Sequence, residues 1–100
     1  MMVVWTLGAD ADAQRLYEQQ ENGGEGAGDC FFEEVLSSVQ LLEAFPEIGP
    51  VVHRGNIRRV LIFKRHFSLF YVVEQRGIIL HALLDLRQDP QSIMQRLRSI

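Results

Sequence analysis

The chain has 100 residues, of which 47 % are hydrophobic and 23 % charged, with a formal net charge of −3. That size and composition suit one domain over residues 1–100 with a modest core, as in an ordinary soluble protein. No apolar run approaches the roughly 18 residues of a membrane span, the acidic N-terminus is unlike a secretory leader, and the lone Cys30 excludes an internal disulfide and suits the reducing cytoplasm.

Met2 to Thr6 is short, β-branched and aromatic, and reads as a first strand. After Gly8, the residues Ala9, Ala13, Leu16, Tyr17 and Gln20 recur at helical spacing, with Asp10 and Asp12 near the positive end of the helix dipole. Four glycines within Asn22 to Asp29 predict a flexible loop. Asp29 is then the expected N-cap of a second helix, whose buried stripe is Phe32, Val35, Leu36, Val39 and Leu42. Pro46 disfavours helical geometry at Phe45 and ends it, and PEIGP carries the chain around a turn.

From Val51 the pattern becomes that of strands. Val51 to Arg54, Ile57 to Phe63, Phe67 to Val73 and Ile78 to Leu84 are separated by short turn-like breaks, which favour antiparallel neighbours. Pro90 to Ile100 predicts a short last helix, with the proline in its first turn. The resulting fold class is α+β: an N-terminal strand and an antiparallel helical hairpin packed on one face of an antiparallel sheet, with a short C-terminal helix.

The total charge conceals a segregation. Residues 1–50 carry ten acidic side chains against Arg15 alone, a net −9, whereas residues 51–100 carry nine basic side chains against three acidic, a net +6. The densest basic stretch is IRRVLIFKRHFSLFY, Ile57 to Tyr71, in which Arg58, Arg59, Lys64 and Arg65 sit among strand-forming side chains. Such a split points to a basic functional face and an acidic opposite face. One cysteine and three scattered histidines give no zinc spacing, and nothing calls for a metal or another cofactor.

Four blocks in order resemble the toxins of bacterial type II toxin–antitoxin modules, in the RelE/ParE superfamily. They are RLYEQQ followed by the glycine-rich loop, CFFEEVLSSVQLLEAFPEIGPVV, the paired-arginine strand IRRVLIFKRHFSLFYVVE, and LLDLRQDP at the closing strand. The resemblance implies a growth-inhibiting toxin, of the kind associated with plasmid stabilisation, held by a cognate antitoxin. It leaves two mechanisms open. RelE-like members cut messenger RNA on the ribosome without a metal, aligning the RNA's own 2′-hydroxyl for attack. ParE-like members do not cut RNA, and those studied poison DNA gyrase. A third reading is a member that has lost toxicity and only binds its antitoxin.

Metal-free RNA cleavage needs a base for the 2′-hydroxyl, cations for the phosphate and an acid for the leaving oxygen. By resemblance Arg59 stands where ribonuclease members carry a catalytic base or phosphate-binding cation, Arg87 matches their closing-strand arginine, and Asp85 replaces the usual His as a candidate base, with Arg58, Lys64 and Arg65 contacting nucleic acid or another target. Two departures favour the ParE-like reading: Ser68 stands where RNA-cutting relatives use an arginine, and no Tyr or His follows Pro90. The residues also have plainer expectations. Arg58 serves equally well as an ion pair with the acidic helices, and Lys64 and Arg65 as solvated turn charges. Tyr71 reads as a core tyrosine with a satisfied hydroxyl, His81 as structural, and Cys30 as a small packed residue. Asp12, Glu18, Glu21, Glu33, Glu34 and Glu43 are expected on exposed helix faces, and Arg96 and Arg98 among the basic groups that receive an acidic antitoxin segment.

Overall fold

The computed structural model describes residues 2–62 and 64–100. In chain order the elements are β1 (Val3–Trp5), α1 (Leu7–Gly23), α2 (Ala27–Ala44), β2 (Val51–His53), β3 (Ile57–Ile62), β4 (Phe67–Glu74), β5 (Gly77–Asp85) and α3 (Pro90–Arg98). The expected α+β arrangement is present. The expected end of the third strand at Phe63 lies outside the described residues. The sheet order is β1-β5-β4-β3-β2. Its last four strands are antiparallel neighbours, while β1 runs parallel to β5.

The glycine-rich segment is more ordered than its composition predicts. α1 begins at Thr6, whose hydroxyl accepts the backbone N–H of Ala9 at 3.1 Å, and it runs through Gly23. Only residues 24–26 separate it from α2. Asp29 is not the cap of α2 but lies inside its first turn, behind Gly26 at φ 82°. The capping role passes to Glu21 at the end of α1, whose carboxylate accepts the backbone N–H groups of Gly26 at 3.1 Å and Gly28 at 3.0 Å. These are orphan donors of a helix start, and an acceptor from the preceding helix satisfies them as a local cap would.

Gly28 also sets how the two helices meet. A Cβ there would lie 2.9 Å from the Tyr17 carbonyl and 3.0 Å from its ring, so the glycine is the point of closest approach. Counting from it, the buried stripe of α2 is Phe31, Val35, Val39 and Leu42. The stripe expected through Phe32 and Leu36 is therefore corrected by one position at its start: Phe32 is half-buried and Leu36 is 43 % exposed. Cys30, expected to be packed, is exposed for the same reason of phase.

The sheet buries both faces. The helical hairpin covers Ile62, Phe67, Leu69, Tyr71, Ile78, Leu80 and Leu83. The opposite face gathers Ile57, Phe70, Val72, Ala82 and Leu84 under Leu97, with Ile93 and Ile100 packed against them. α3 thus lies on the side away from the hairpin, although it is tied to α1 by one buried contact. Asp12, expected on an exposed face, is only 2 % exposed. Its carboxylate accepts two hydrogen bonds from Arg96 at 2.8 and 2.7 Å, one from Arg15 at 3.1 Å, and the backbone N–H of Leu83 at 3.0 Å. The last is an unpaired edge position of β5, because β1 has already turned into α1 beyond Leu80. Arg96 is therefore a structural cation, and its interaction with Asp12 raises its pKa further above the ordinary range.

Candidate target-binding surface

Strand register separates the paired arginines. Arg58 pairs with Tyr71 and Arg59 with Phe70, so the two point to opposite faces of the sheet. Arg58 lies on the hairpin side and donates to the carbonyls of Glu47 at 3.1 Å and Gly49 at 2.7 Å. It neither pairs with an acidic helix nor stands free: it clamps the turn that leaves α2. Tyr71 secures the same turn from below. Its buried hydroxyl donates to the Pro46 carbonyl at 2.8 Å and accepts the Gly49 N–H at 3.0 Å. The satisfied core tyrosine expected from sequence is what the fold contains. The hydroxyl is buried with its proton committed to the Pro46 carbonyl, and burial raises its pKa, so it is not presented as an acid.

Arg59 faces the other way, on the side of Ile57, Leu61 and Phe70. Its side chain is half-buried, with no ion pair or side-chain hydrogen bond among the described residues. Leu61, two residues along the same face, is 38 % exposed. Ser68, opposite Leu61, is fully buried, and its hydroxyl has no hydrogen-bond partner among the described residues.

The remaining candidates meet at one end of the sheet. Phe67 pairs with Asp85, and the backbone N–H of Leu86 donates to the His66 carbonyl at 2.8 Å. The β3–β4 turn with Lys64, Arg65 and His66 therefore lies beside the exit of β5 with Asp85 and Arg87. Arg87 forms a fork with Asp85, Nε to Oδ1 and Nη2 to Oδ2, both at 2.9 Å, and its backbone N–H adds a third bond of 2.9 Å. The guanidinium also lies 5.6 Å above the ring of Phe67, whose own packing is fixed by Phe31 from α2, with ring centroids 5.0 Å apart. Phe67 as the shelf for Arg87 was not read from the sequence. The signal was available in the strand pairing that sets Phe67 against Asp85.

This geometry limits what Asp85 can do. The hydrogen bonds from Arg87 hold its carboxyl below the usual carboxylate range, despite partial burial that works the other way. A carboxylate locked in a fork with a guanidinium is a weak base. Burial lowers the pKa of His81, while Glu74 works the other way. Among the described residues, no cluster of His, Cys, Asp and Glu could hold a metal ion, and no helix is long and apolar enough to cross a membrane.

The family model described as the ParE toxin of the type II toxin–antitoxin system parDE matches residues 3–90. The chain belongs to this ParE toxin family. A search of curated proteins returned no significant match. Membership makes the chain a type II toxin by descent and implies an antitoxin as partner. The ParE match spans every strand and both long helices and ends where α3 begins, at Pro90. The buried Asp12–Arg96 link therefore joins the family region to the helix that follows it.

Proposed function

We propose that this chain is a growth-inhibiting toxin that acts by binding a protein target, in the gyrase-directed manner of ParE toxins, and that a cognate antitoxin neutralises it. The whole chain then works as one toxin domain. Arg59 and Arg87 present the principal target-facing cations, with Lys64 and Arg65 beside them. Arg58 contributes indirectly by holding the turn after α2. An acidic antitoxin segment laid over this basic side would neutralise it and block the target together.

The observation that carries the reading is the state of Asp85. The candidate base of a ribonuclease is held in a two-bond fork by Arg87 with its pKa lowered, and the Ser68 position opposite Leu61 is closed to solvent. Binding a target needs cations at the surface, and Lys64, Arg65 and Arg87 are exposed; transferring a proton from a 2′-hydroxyl needs a free base. The test adds purified chain to a cell-free bacterial translation reaction and maps messenger RNA ends by primer extension. An Arg59→Ala, Arg87→Ala double variant serves as control. Intact messenger RNA beside a folded toxin is the expected result. Ribosome-dependent cuts that vanish in the double variant would establish the ribonuclease instead.

A further inference from the structure

The hairpins of the sheet turn by different means. Arg54 and Gly55 carry β2 into β3 with φ of 52° and 83°, so a glycine takes one of the two left-handed positions. The β3–β4 hairpin has no glycine. Lys64 and Arg65 hold φ of 56° and 67° in succession. Two consecutive left-handed residues are what a tight hairpin turn requires, and Asn-Gly meets the requirement with little steric conflict. Here two of the longest cationic side chains sit in its place, and both are exposed. Strain of this kind persists at positions where the side chain serves a purpose that the fold does not.

We propose that the Lys64–Arg65 tip, with Arg87 beside it, contacts the phosphate backbone of duplex DNA. Exposed cations gain little from single carboxylates on a protein surface. Against a dense row of phosphates they release condensed counterions, and that gain does not require burial. β3 and β4 are inner strands of the sheet, and β4 stays paired with β5 as far as Phe67, so the turn alone reaches out to the phosphates. The acidic first half of the chain, net −9, forms the helical hairpin over one face of the sheet and orients the tip by repulsion. This contact rests on the gyrase-directed reading only for its setting, a target that already holds DNA.

The test measures anisotropy of a short labelled B-form duplex at several salt concentrations, with no gyrase present, so its failure leaves the gyrase assay untouched. Three phosphate contacts predict a log–log salt slope of roughly −3. Lys64→Asn combined with Arg65→Gly removes two of the charges and relieves the turn. Binding at low salt then falls at least ~10-fold and the slope approaches about −1, while the melting temperature rises by roughly 5 °C. Arg65→Gly alone reduces the slope by about 1. Unchanged duplex binding in the double variant, a lowered melting temperature, or equally tight binding of duplex RNA would each overturn the proposal.

Discussion

Asp12 and Arg96 offer the sharpest test of how the fold is held. The carboxylate is 2 % exposed and the guanidinium side chain 35 % exposed, with contacts of 2.7 and 2.8 Å. Removing one partner of a fully buried pair costs about 3–5 kcal/mol, because the other charge is left without compensation. Arg96→Ala leaves Asp12 with the half-exposed Arg15 and the Leu83 N–H, so we expect the lower end, about 3 kcal/mol. Asp12→Ala frees a guanidinium that can turn towards water, but it also orphans the Leu83 N–H, which costs about 1–3 kcal/mol. Its total should again be about 3 kcal/mol, equivalent to roughly 15 °C in melting temperature for a domain of this size. In a double-variant cycle read by urea denaturation, the coupling should be about 2 kcal/mol. Arg15→Ala, which removes a 50 % exposed partner, should cost no more than about 1 kcal/mol. A coupling of only ~0.2–1 kcal/mol, the range of surface pairs, would refute the claim that this link anchors α3.

Other positions respond in ways that sequence propensities alone would misjudge. Gly28→Ala should stabilise α2 by about 1 kcal/mol on helix propensity alone, yet the contact with Tyr17 predicts a loss of about 1–3 kcal/mol, readable by thermal denaturation. Tyr71→Phe leaves the Gly49 N–H and the Pro46 carbonyl unsatisfied and should cost about 1–3 kcal/mol in urea unfolding. Gly49→Ala should be at least as damaging, because its Cβ would collide with the Arg59 carbonyl and lie 2.8 Å from the Tyr71 hydroxyl. His81 has a folded pKa below its unfolded value of about 6.5, so the unfolded chain binds its proton first. Its contribution is complete above that pH and declines as pH falls towards the folded pKa. His81→Gln should remove this component from the stability–pH curve below about pH 6.5, and an unchanged curve would dismiss it.

Most of the fold was legible because its local signals agree. The strand run from Phe67, the proline that ends α2 and the turn residues between strands all point the same way, and β4 is accordingly buried from Phe67 through Val72. What the sequence concealed was tertiary. Asp12 sits where an acidic residue normally serves the helix dipole in water, and nothing nearby announces a partner 84 positions away. The glycine-rich segment reads as a loop because its cap comes from Glu21, on the preceding helix. The phase of α2 turns on Gly28, whose role is to have no side chain against Tyr17.

The candidate site was legible as residue types and illegible as geometry. Pattern alone could not assign a face to Arg58 or Arg59, since both sides of β3 carry apolar neighbours. Register separated them and gave Arg58 to the turn after α2. Arg87 stood out beside a strand end, but its fork with Asp85 depends on the chain bending back at that point, which spacing does not encode. The left-handed conformation of Lys64 and Arg65 was equally hidden, because their chemistry argues against it.

The central claim, a binding toxin directed at gyrase, is tested most directly in a DNA supercoiling reaction with purified gyrase and increasing amounts of this chain. The account predicts that supercoiling is inhibited and broken DNA accumulates, and that the Arg59→Ala, Arg87→Ala variant, folded as judged by its melting curve, loses both effects. Undisturbed supercoiling at toxin concentrations that halt translation in a parallel reaction would contradict it.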